Sequence, residues 1–118
     1  MGFFVISAPS ETTWTAAPGD VDSWVRQTWP EVVSHRESTK VRSIVWEWPD
    51  RSEAYIEAAG QAIYIEALAP MIARFAAAFT ERFARSQSLI LYDEGYTTVV
   101  PLNGATEETV RQALDSAM

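Results

Sequence analysis

Between residues 44 and 66 the chain alternates in three short runs. One parity holds Ile44, Trp46, Trp48, Ala54, Ile56, Ala58, Ile63 and Ile65; the other holds Val45, Glu47, Glu53, Tyr55, Glu57, Tyr64 and Glu66. Successive side chains of a strand point to opposite faces. A meander of these runs therefore puts the first set beneath helices and gathers four carboxylates and two tyrosines on the other face. Such a group can steer a basic partner by charge while the tyrosines supply contact area at small entropic cost. Paired acids can also do acid–base or Mg²⁺ chemistry, with Glu47 and Glu57, or Asp93 and Glu94, as the pair. That chemistry needs a cleft able to raise one pKa, and an open sheet face lacks it. Asp93-Glu94 lies in a turn, where Asp is favoured for local backbone bonding alone.

The candidate partner-binding residues are thus Glu47, Glu53, Tyr55, Glu57, Tyr64 and Glu66, with Asp93 and Glu94 as a secondary acidic group. The competing reading is a solvated sheet face that only keeps the protein soluble. Against it, neighbouring like charges repel, and Thr or Ser would serve solubility with less repulsion.

Other chemistry is scarce. The 118 residues include no cysteine, so disulfides, Cys-ligated metals and Cys nucleophiles are excluded. The single histidine, His35, rules out a multi-His metal site and falls in a polar stretch read as an exposed turn. No Gly-x-Ser-x-Gly, P-loop or Gly-x-Gly-x-x-Gly pattern occurs. No catalytic residue, metal or cofactor is expected. Sixteen acids against nine bases, net −7, argue against a sequence-independent nucleic-acid binder. The apolar start, Met1 to Ile6, lacks a basic flank and is too short for a signal peptide or a bilayer span, so a cytoplasmic location with no membrane partner is expected.

The elements that must position these residues follow from periodicity. Phe3 to Ser7 reads as a strand, and Trp14 as a flap over the core. Asp20 reads as the N-cap of a helix carrying Val21, Trp24, Val25 and Thr28 on one stripe and stopped by Pro30. Val32-Val33 reads as a brief strand and Ser34 to Thr39 as a turn. Strands are expected over Lys40 to Trp48, Glu53 to Ala59 and Ala62 to Ala67, with Gly60-Gln61 as a tight connection. Pro70 opens a helix with Ile72, Phe75, Phe79 and Phe83 on its apolar face. Leu89 to Tyr92 and Tyr96 to Val100 form a hairpin, in which Gly95 is expected to be left-handed. Thr106 caps a last helix bearing Val110, Ala113, Leu114 and Ala117. Trp24, Trp46 and Trp48 are expected in the core; Trp29 is either a core plug or part of a contact surface. The expected fold is a single α+β domain: a mainly antiparallel sheet of five to six strands with three helices on one face.

Thr28-Trp29-Pro30 closing a short helix, the Trp46-Glu47-Trp48 strand, and Tyr92-Asp93-Glu94-Gly95-Tyr96 leading to Val100-Pro101-Leu102 give the chain a layout. That layout resembles small acidic immunity proteins of bacterial polymorphic toxin systems. The resemblance implies a non-catalytic, single-domain protein that neutralises a cognate toxin by covering its active site or substrate channel. With the acidic face, the expected partner is a basic, nuclease-type toxin. Two other classes stay open: an adaptor subunit acting through self-association as a homodimer, and a small-molecule-binding domain with a Trp- and Phe-lined pocket between sheet and helix.

Overall fold

The computed structural model describes residues 3–9, 14–36, 42–85, 87–95 and 97–117. Seven strands and three helices follow the order β1 (Phe4–Ser7), α1 (Pro18–Thr28), β2 (Val33–Arg36), β3 (Arg42–Glu47), β4 (Glu53–Glu57), β5 (Ala62–Glu66), α2 (Ala69–Phe83), β6 (Ile90–Asp93), β7 (Val99–Pro101) and α3 (Glu107–Ala117). All strands pair antiparallel in one sheet of order β2-β3-β4-β5-β1-β6-β7. The α+β class and the meander β3-β4-β5 are as the alternation implies. The strand count exceeds the expected five to six, and β2 runs through Arg36, where a turn was expected. His35 is accordingly an exposed strand residue rather than a loop residue.

Alternation sorts the sheet into two faces. Ile6, Ile44, Trp46, Ala54, Ile56, Ile63, Ile65, Leu91 and Val100 are buried together with residues of all three helices, including Val21, Val25, Ile72, Phe75, Phe79, Val110 and Leu114. The helices therefore cover one face, as expected. Trp46 Nε1 donates to Asp22 Oδ1 at 2.9 Å and ties α1 to β3. Ala58 was expected beneath the helices but is exposed, because β4 ends at Glu57 and the chain turns there. Lys40 and Val41, expected to open the third strand, and Tyr96, expected to open the seventh, lie outside the described residues.

Local chemistry accounts for most element ends. Helix α1 starts at Pro18 with Ala17 as N-cap, three residues before the expected Asp20, because proline pre-sets the first helical φ. Helix α3 has the expected cap: Thr109 N donates to Thr106 Oγ1 at 3.1 Å. Gly60 is left-handed at φ 70°, and a Cβ there would sit 2.1 Å from Ala16 O. The close approach is built in, since Ala16 N donates to Gly60 O at 2.9 Å. That bond anchors the loop carrying Trp14, whose ring meets Phe79 edge-on at 5.5 Å. Gly95 is not left-handed, contrary to expectation. The Asp93 side chain organises that turn instead, as described below. Among the described residues no helix is long and apolar enough to cross a membrane.

Candidate functional site

The face turned away from the helices carries two cross-strand rows. Pairing sets Val33 opposite Glu47, Glu47 opposite Glu53, and Glu53 opposite Glu66, so three glutamates stand side by side on β3, β4 and β5. Two residues along, the register runs His35–Val45–Tyr55–Tyr64–Val5–Tyr92–Val99 across all seven strands. From Val45 to Val99 this second row consists of valines and tyrosines, with His35 at the β2 edge. Tyr55 and Tyr64 stack at 4.7 Å with their planes 14° apart. Ser7 Oγ donates to Tyr92 Oη at 3.3 Å.

Burial shows how tightly this row is built. Val5 and Val45 are 3% and 1% exposed although they point away from the helix-side core. The outer face thus buries aliphatic side chains of its own. The row ends on Val99 at one sheet edge, 49% exposed, and Val33 beside the glutamates at the other edge is 62% exposed. Directly opposed like charges destabilise a sheet. The glutamate row contains two such pairs, Glu47–Glu53 and Glu53–Glu66.

Where the rows meet, Phe3, Glu53, Tyr55, Tyr64, Ile65 and Glu66 line a shallow cleft of about 220 Å³. Phe3 stands edge-on to Tyr64 at 5.9 Å and forms its side wall. The expected site residues thus divide. Glu47, Glu53, Tyr55, Tyr64 and Glu66 are brought together. Glu57 shares the face but sits beyond Tyr55 at the far end of β4, opposite Arg42 in the pairing.

Asp93 and Glu94 do not join this face. Asp93 has the parity of Leu91, and its carboxylate accepts bonds from the Thr97 hydroxyl and, at 3.1 Å, the Thr98 amide. Those bonds, that of Thr97 foremost, hold its pKa below the ordinary 3.8. Glu94 is exposed in the turn between β6 and β7. Among the described residues no three His, Asp or Glu side chains converge on a point that could hold a metal ion. The three glutamates form a line.

No family model, curated protein or solved structure matches the chain. What the site does must be argued from its own geometry. Phe3, Val5 and Tyr92 are members of the face that sequence reasoning missed. Their place depends on β1 inserting between β5 and β6, a long-range pairing that leaves no local signal.

The helix-side layer accounts for the tryptophans. Trp29 stacks on Phe75 at 5.6 Å and meets Trp24 and Trp48 edge-on at 5.5 and 5.6 Å. Phe75 and Phe79 stack at 6.2 Å, and Phe79 continues to Phe83 at 5.1 Å. These rings pack directly on one another where the small-molecule reading expects a pocket. Trp29 is the core plug of the two alternatives and is 3% exposed.

Proposed function

We propose that the chain is a non-catalytic protein-binding protein whose uncovered sheet face docks a basic protein partner. Its most specific form is an immunity protein that neutralises a cognate nuclease-type toxin, the acidic row competing with a nucleic-acid backbone for the toxin's cationic cleft. One observation supports this above the others: the Glu47–Glu53–Glu66 line beside the Tyr55–Tyr64–Val5–Tyr92 row on the face turned away from the described helices. Solubility alone explains neither opposed glutamates nor a row of tyrosines and valines beside them. Complementary charge speeds encounter, and tyrosines are rich contact residues. The test is association with the protein encoded beside this chain, using a Glu53→Lys/Glu66→Lys variant; slower binding with an unchanged melting curve supports the reading.

A second reading, an adaptor that self-associates, is favoured by Val33, exposed on the strand that ends the sheet. Sedimentation separates the two. A stable homodimer of the isolated chain supports self-association; a monomer supports docking.

A further inference from the structure

The cleft on the outer face has a chemistry more specific than negative charge. Its walls are the stacked Tyr55 and Tyr64 rings, with Phe3 edge-on at the side, and its rim holds Glu53 and Glu66, paired directly across β4 and β5. Aromatic faces attract cations, and two carboxylates beside them fix the sign of the guest. We propose that this cleft receives one arginine side chain of the docking partner, the guanidinium lying against the aromatic wall and bonding to both carboxylates.

Arginine fits better than lysine for two reasons. A guanidinium is planar and stacks on rings, whereas an ammonium is a compact, strongly hydrated point charge. Directly opposed residues of an antiparallel pair have Cβ atoms about 4.5–5.5 Å apart, so Glu53 and Glu66 offer two acceptors to a forked donor. The cleft volume of about 220 Å³ admits the guanidinium and the methylenes behind it while leaving the mouth open to a protein surface. Glu53, Tyr55 and Tyr64 also hold contacts within the chain.

The inference rests on the docking reading, yet its test needs no partner. Nα-acetyl-argininamide, its lysine counterpart and its neutral citrulline counterpart are titrated at constant ionic strength, followed by the tyrosine ring signals in NMR spectra. The arginine probe is expected to give saturable shifts at Tyr55 and Tyr64, the lysine probe weaker binding, and citrulline none. A Glu53→Gln/Glu66→Gln variant, with tryptophan signals unchanged to report an intact core, should bind the arginine probe roughly tenfold more weakly. Absence of saturation, equal response to citrulline, or unaltered affinity in the variant overturns the cleft; tighter lysine binding overturns the choice of arginine. If the probe binds while no basic protein does, the docking reading fails and the cleft stands. If charge reversal slows a protein partner while the probe never binds, the cleft fails and the docking face stands.

Discussion

The two faces of this sheet follow one alternating pattern but are built for different neighbours. Toward the helices, Trp24, Trp29, Trp48, Phe75 and Phe79 interlock ring on ring, and within this layer the Trp29 and Trp48 indole nitrogens are buried with no hydrogen-bond partner among the described residues. Such orphan donors each cost about 1–3 kcal/mol, so apolar contact dominates this layer. On the other face, tyrosines replace tryptophan and phenylalanine in the central row, and glutamates stand where a buried layer would reject them. Both sides bury aliphatic residues; in the outer row the large rings Tyr55, Tyr64 and Tyr92 each carry a hydroxyl. The inner layer is closed, and the outer layer presents carboxylates and tyrosines.

The sharpest way to break this contrast is to truncate one ring on each side. Phe75→Ala removes a ring stacked between Trp29 and Phe79 and should lower unfolding free energy by about 3–5 kcal/mol, a large share of the roughly 5–15 kcal/mol of a typical domain. Tyr55→Ala, on the half-buried outer row, should cost less than half as much. Denaturant unfolding of both variants measures the gap; equal losses would mean that the outer row is core like the inner one.

Next in size is Gly60→Ala. The left-handed backbone and the 2.1 Å approach to Ala16 O leave no room for a methyl group. The turn and the loop carrying Trp14 must shift, at about 1–3 kcal/mol. The same unfolding experiment checks it, with the loss expected to accompany loosened packing of Trp14 on Phe79.

The smallest effect sharpens the outer side. The Asp93 carboxylate anchors the turn that brings Val99 to the end of the row, and its pKa is depressed by bonds from Thr97 and Thr98. A depressed pKa stabilises the fold above the unfolded-state value, and the contribution is lost as pH falls through the folded value. Asp93→Asn should therefore be less stable than the parent at pH 7, with the difference closing in acid. Unfolding curves at neutral pH and below 3.8 test this; a gap that widens in acid contradicts it.

Much of this layout was legible in the sequence because side-chain alternation is a local signal. Ile44, Trp46, Glu47, Tyr55 and Tyr64 fall on the expected faces, and the Phe75/Phe79/Phe83 stripe follows helical spacing. Register was not legible. That Glu47, Glu53 and Glu66 line up while Glu57 stands apart depends on where each turn closes. That Val45 is buried on an outer face depends on neighbours from other strands. Trp14 and Trp29 lie outside regular elements, so no period could assign them to the core. The Asp93 turn misled for a different reason: a side-chain carboxylate did what a left-handed glycine was expected to do.

The central claim is that the outer face is a docking surface for a basic protein. Its most direct test is the association rate with a basic nuclease-type toxin captured by this chain, measured across a salt series for the parent and for Glu53→Lys/Glu66→Lys. The account predicts a parent rate that falls steeply with salt, and a variant rate at least tenfold lower at low salt with a flattened salt dependence and an unchanged melting curve. Identical rates and identical salt dependence for the two proteins would contradict it.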